Sequence, residues 1–189
     1  MKIYRIKTDS NNVQAVQPTD ERLSKMDYLK FNCEPRKDNW RELEVYVYNP
    51  KTKPKDFYNM GWEMLIFNEK VLDVCQTIFE MAGEILPLQV ERGQKLYLLN
   101  ILQCINALDY DRTVWDYYPR TGRKGRILKY GFHSEKASNE ASIFKIPEEN
   151  STTIFCYADV KNPDDEFYHI YHKHKLTGLI FEEVYNDDN

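Results

Sequence analysis

Several groupings of side chains have the types and spacing that could do chemistry. His169, His172 and His174 form H-x-x-H-x-H, a pattern that invites a metal ion. On a helix, at about 100° per residue, His172 and His174 point roughly 160° apart, so the three imidazoles cannot converge on one ion. They read instead as cations at a helix C-terminus, with Lys173 and Lys175. Glu42 and Glu44 flank Leu43 and share a strand face about 7 Å apart, a carboxylate pair that could do acid/base work. No His, nucleophile or Gly-rich loop accompanies that pair, so a solvated strand face is its expected role. His133 and Ser134 are adjacent, but triad partners are recognised by spatial roles, and no G-x-S-x-G, H-E-x-x-H, G-x-G-x-x-G or P-loop pattern occurs. Asp164, Asp165 and Glu166 follow Asn162 and Pro163, which makes them first-turn residues of a helix, with contact to a basic partner as their other role. No catalytic residue, cofactor or metal site is assigned.

One stretch carries more information. Asp109 to Gly125 is polar and aperiodic, yet it packs Trp115, three Tyr and three Arg into seventeen residues. Those three residue types dominate protein-interface hot spots, and a loop held by a rigid scaffold is where such a surface can be carried. Two roles stand open for it. Trp115 and Tyr117 could fold back as a lid on the core, or Trp115, Asp116, Tyr117, Tyr118 and Arg120 could anchor a partner. Nucleic-acid stacking by the same rings is a third use, disfavoured by a net charge of −4.

The elements that must position these residues follow from periodicity. Val71, Val74, Cys75, Ile78, Phe79, Met81 and Ala82 repeat at helical spacing, with Asp73, Gln76, Thr77 and Glu80 opposite, so a helix is expected from a cap at Asn68 to a stop at Gly83. Glu84–Val90 and Lys95–Leu102 then read as a hairpin whose second strand is apolar on both faces, the candidate central strand with the helix as its cover. Strands are expected at Lys2–Lys7, Met26–Cys33, Glu42–Tyr48, Arg126–Phe132, Ile143–Ile146, Thr153–Cys156 and Leu179–Tyr185, with loops at Thr8–Glu21 and Lys51–Gly61. A last helix is expected after Asn162, presenting Phe167, Ile170, Tyr171 and His174 on one face and ending before Gly178. Helices segregated from most strands predict a single α+β domain over residues 1–189, mainly antiparallel, with a central hairpin and a few covering helices.

Composition sets the bounds. The 189 residues are 42% hydrophobic and 30% charged, enough for one sizeable core and against wholesale disorder. Cys33, Cys75, Cys104 and Cys156 show no C-x-x-C and read as reduced small hydrophobes. Neither an N-terminal apolar segment nor an 18-residue apolar run is present, so a cytoplasmic location is expected.

The opening M-K-I-Y-R-I, V-Y-N-P at Val47–Pro50, E-I-L-P-L-Q-V and L-Y-L-L-N-I between Glu84 and Ile101, Ala107-Leu108-Asp109, I-F-K-I-P at Ile143–Pro147 and L-T-G-L-I-F-E-E-V at Leu176–Val184 occur in this order across nearly the whole chain. Together they resemble immunity protein family eleven of bacterial polymorphic toxin systems. The resemblance implies a non-enzymatic cytoplasmic antidote that binds a cognate toxin C-terminal domain and blocks it; net charge and the lack of an 18-residue apolar run set the expectation of neither nucleic acid nor membrane as direct ligand, and self-association stays open. Trp115, Tyr117, Tyr118 and Arg120 are the expected anchors, and Asp116, Asp164, Asp165 and Glu166 would complement a basic toxin surface. The competing class is a metal-dependent hydrolase or nuclease using Glu42 and Glu44 or Asp109 and Asp111.

Overall fold

Asn68 and Gly83 bracket the helix on which the fold is assembled. The computed structural model describes residues 1–20, 29–61, 64–91, 93–138, 142–159 and 163–188. In it α1 (Glu69–Ala82) begins where Asn68 Oδ1 accepts the Val71 N–H at 3.1 Å, and ends where the Gly83 N–H reaches back to the Phe79 carbonyl. Val71, Cys75, Ile78, Phe79 and Ala82 are buried as the spacing predicts. Met81, at the flank of that stripe, is instead exposed.

The chain leaves α1 directly into strand. Taken in order, the strands of one sheet are β2 (Val16–Pro18), β3 (Leu43–Val47), β4 (Phe57–Tyr58), β5 (Leu65–Asn68), β6 (Gly83–Val90) and β7 (Lys95–Ile101), arranged β2-β3-β6-β7-β5-β4. All its pairings are antiparallel except β3 on β6. A second sheet runs β10 (Ile143–Phe144), β11 (Ile154–Ala158), β1 (Lys2–Thr8), β12 (Leu179–Asn186), antiparallel throughout. The fold is α+β, sheet-dominated and mainly antiparallel. The strand β7 lies inside its sheet and is buried on both faces, which is why its sequence is apolar without alternation.

Three apolar clusters explain how the layers stack. Leu99 and Ile101 of β7, the buried face of α1, Tyr4 and Ile6 of β1 and Cys156 of β11 share one cluster with Phe167, Ile170 and Tyr171, so helices fill the space between the inner faces of the two sheets. Leu96 and Leu98 point the other way, into a cluster with Leu29 and Phe31. The outer face of the four-stranded sheet, through Ile3 and Phe155, packs against Leu108, Tyr130 and Phe132.

Several expectations need correction. The segments expected as loops at Thr8–Glu21 and Lys51–Gly61 contain β2 and β4, edge strands of two or three residues, too short to show alternation. Of the strand expected at Met26–Cys33, residues 26–28 lie outside the described residues; the remainder is irregular, with Cys33 at φ 66°. The last helix, α2 (Phe167–Lys173), starts later than expected: Pro163–Asp165 form a 3-10 turn, and Glu166 caps with extended backbone. Asn162, the expected cap, lies outside the described residues. His174 is the exposed C-cap and not a member of the buried face.

The Asp56 carboxylate ties the start of β4 to the turn that precedes β12. Asp56, 7% exposed, accepts the Thr177 backbone N–H and hydroxyl at 2.8 Å each and meets Lys70 Nζ at 3.0 Å. Burial alone would raise its pKa; the Thr177 hydroxyl and the Lys70 ammonium outweigh burial and hold it below the ordinary 3.8. A depressed folded-state pKa means the stabilisation is complete above the unfolded value and is lost as pH falls through the folded one. Asp56→Ala is expected to cost about 2 kcal/mol at neutral pH, because it leaves the part-buried Thr177 N–H and hydroxyl without their acceptor. Urea titrations of both proteins should show that gap narrowing below pH 3.8; a gap of constant size would show that ionised Asp56 contributes nothing.

Candidate functional site

Asp109 begins the segment in which most exposed apolar side chains gather. Its Oδ1 accepts the N–H groups of Asp111 and Arg112 at 3.0 and 3.2 Å, bending the chain, and its own N–H goes to the Gly131 carbonyl. Buried Thr113 locks the base of the turn, its hydroxyl donating to the Asp109 carbonyl and accepting the Gly131 N–H. From this base the chain runs out and back as β8 (Val114–Tyr117) and β9 (Lys124–Lys129), a separate two-stranded ribbon. Asp109–Gly125 is therefore the base turn, first strand and tip of a hairpin, reaching the start of its second strand, and not an aperiodic loop. Its register breaks on both sides of Trp115, which removes the alternation a strand normally shows. The signal that could have found it is Tyr118-Pro-Arg-Thr-Gly: the N–H groups of Thr121 and Gly122 both reach the Tyr118 carbonyl, and Gly122 takes φ 65°.

The ribbon has two unlike faces. Trp115 pairs across to Ile127, and both pack on the outer cluster of the four-stranded sheet. Trp115 also stacks on Tyr110 at 6.0 Å, with Lys124 Nζ 4.7 Å from its ring centroid. Its indole N–H is buried without an acceptor. Of the two roles open for Trp115, the structure supports the lid. Tyr117 and Tyr118 take the other course, at 52% and 61% exposure, and neither hydroxyl has a hydrogen-bond partner among the described residues. Tyr110 is exposed as well, but its hydroxyl donates to Glu148 Oε1 at 2.6 Å, which raises its pKa. Val114 and Leu128 complete the exposed apolar set.

The carboxylates expected to face a partner are placed differently. Asp116 pairs with Arg126 at 3.7 Å and Asp164 with Lys173 at 2.7 Å. Glu166 is 2% exposed, its two oxygens accepting the Asp159 N–H and one of them lying 3.1 Å from His169 Nε2, so it serves the fold. Asp165 stays exposed. The residues of the two groups attach to opposite faces of the four-stranded sheet: Phe167 and Ile170, just after Glu166, pack on the inner one, and Trp115 on the outer. The predicted site thus divides. Tyr117, Tyr118 and Arg120 lie together on the ribbon, and Asp164–Glu166 do not join them.

The other candidate chemistry finds no assembly. The three imidazoles diverge: His169 sits beside Glu166, His172 lies against Tyr168 and Phe181 with its pKa lowered by burial and by His169, and His174 ends the helix. Among the described residues no three His, Cys, Asp or Glu side chains group closely enough to hold a metal ion. Glu42 and Glu44 are exposed beside a cleft that also takes in Asp20 and Arg41. The Ser134 hydroxyl donates to Asp187 and not to His133, whose Nδ1 is 3.8 Å from Asp109 Oδ2. All four thiols are free; burial pushes Cys33 up to about 11 and Cys75 to about 12, which leaves little thiolate for nucleophilic attack. A largely apolar cavity of about 480 Å³ opens where Leu29–Asn32 meet Leu99 and Ile154; there Lys145, 4% exposed, donates to the Phe31 carbonyl at 2.8 Å. None of the described helices is long and apolar enough to cross a membrane.

No family model matches this chain, and no curated protein matches it.

Proposed function

We propose that this protein acts by occupying another macromolecule through the β8–β9 ribbon, as an antidote that binds and neutralises a cognate bacterial toxin domain in the cytoplasm. The observation that carries the binding reading is the concentration of exposed apolar side chains. Five of the eight large ones exposed among the described residues lie on this hairpin and the turn at its base: Val114, Tyr117, Tyr118 and Leu128 on the hairpin, and Tyr110 in the turn. A surface of that kind costs solvation in the free protein and is relieved by a partner. The hairpin is also well held, by Thr113 and Gly131 at its base and by Trp115 and Ile127 on the core, so little ordering entropy is lost when a partner docks. The narrower antidote reading rests on the ordered resemblance of seven segments to immunity protein family eleven, and on nothing in the comparisons.

Its test is co-production with the C-terminal domain encoded by the reading frame immediately upstream. The expected result is a stoichiometric complex on gel filtration and restored growth of cells producing that domain. Turnover of a nucleic acid or ester by the purified chain alone, gained on adding magnesium or manganese, would overturn the proposal in favour of a hydrolase.

A further inference from the structure

We infer that the partner face which meets the ribbon is an acidic protein surface, an assignment that rests on reading the ribbon as the interface. Residues 109–131 contain Arg112, Arg120, Arg123, Lys124, Arg126 and Lys129 against Asp109, Asp111 and Asp116, a net charge of +3 within a chain of net −4, so the remainder carries −7. Three of these cations are engaged locally: Arg112 with Asp109, Arg126 with Asp116, and Lys124 over the Tyr110 and Trp115 rings. Arg120, Arg123 and Lys129 are exposed and have no ion-pair partner among the described residues. Arg120 lies in the tip and Arg123 just beyond it, next to Tyr118, where guanidinium and phenol can contact the same surface.

This reverses the polarity expected from the carboxylates Asp116, Asp164, Asp165 and Glu166. A positive ribbon on a negative body has a directional field: an acidic partner is drawn to the ribbon and repelled elsewhere, which raises productive encounters. A protein fits better than a nucleic acid. The six residues of β9 span about 20 Å, whereas a polynucleotide's charge continues past any patch of that size and meets the negative remainder. Exposed Val114 and Leu128 also gain by burial against apolar side chains and gain nothing from phosphates.

The experiment measures association of the full chain with the purified upstream-encoded domain at about 0.05 and 0.5 M salt, for wild type, Arg120→Glu/Arg123→Glu and Arg120→Gln/Arg123→Gln. Both positions are exposed, and circular dichroism checks that each variant folds. The charge-reversed protein should associate at least about tenfold more slowly at low salt, the neutral one by less, and both should lose part of the salt dependence. Wild type that fails to bind the domain sinks the antidote reading and this inference with it. Wild type that binds while the charge-reversed variant keeps the same rate and salt dependence sinks this inference alone. Tight binding of a labelled single-stranded oligonucleotide, abolished by the charge reversal, would overturn the choice of a protein partner.

Discussion

Gly83→Ala is expected to destabilise the protein by about 3 kcal/mol or more, a large share of the roughly 5–15 kcal/mol that holds a domain folded. A Cβ built there would lie 2.0 Å from the Asn100 carbonyl oxygen and 2.9 Å from the Leu102 nitrogen. Both are backbone atoms at the end of the central strand, so no side chain can swing aside. The requirement is for space and not for a left-handed turn, since φ is 168°. Gly83 is the first residue past the helix and the first of β6: it closes α1 on the Phe79 carbonyl and opens the β6–β7 ladder opposite Ile101. Relief would require parting that pair of strands where Asn100, wholly buried, donates to Glu84 and to the Glu34 carbonyl. The reduced freedom of the unfolded alanine chain returns under about 1 kcal/mol, too little to offset the clash. Urea denaturation should show a lower midpoint at unchanged slope. A midpoint within error of wild type would mean the junction is looser than its geometry shows.

That junction was legible in the sequence because its signals are local. Asn68 caps within three residues, the apolar stripe repeats inside α1, and the both-faces-apolar run of β7 states its own burial. Pairings decided at a distance left no such mark. The parallel placement of β3 on β6 joins Leu43 to Leu88, and the alternation in β3 is the same whichever way its neighbour runs. The 3-10 turn at Pro163–Asp165 arises where the Glu166 carboxylate is drawn inward to the Asp159 N–H, whereas acidic residues after a proline read locally as an ordinary first turn. The candidate site divided for the same reason. Residue type identified Tyr117, Tyr118 and Arg120 as surface anchors, because rings and guanidinium beside a polar tip stay exposed in almost any hairpin. It could not show that Trp115 turns inward, that Asp116 and Asp164 are paired with Arg126 and Lys173, or that a chain of net −4 concentrates positive charge on one ribbon.

Tyr117→Ala combined with Tyr118→Ala is expected to weaken the complex by about 3 kcal/mol or more while leaving the fold unchanged, the pattern of hot-spot truncation. Both rings are more than half exposed and neither hydroxyl has a hydrogen-bond partner among the described residues, so the free protein loses little packing. In the complex each would bury an aromatic face and offer a hydroxyl beside Arg120 and Arg123. Trp115→Ala is the instructive contrast. It would remove the ring that stacks on Tyr110, supports Lys124 and seals the outer cluster, so its expected effect is a loss of about 2 kcal/mol in stability, less than the 3–5 of a fully buried tryptophan. Any weakening of the complex in that variant would come through a loosened ribbon. Isothermal titration on the upstream-encoded domain, with thermal denaturation of each free variant, separates the two: the tyrosine pair should move affinity without moving the melting temperature, and Trp115→Ala should move the melting temperature. An unchanged affinity in the double tyrosine variant would remove the ribbon from the interface, whatever the partner proves to be.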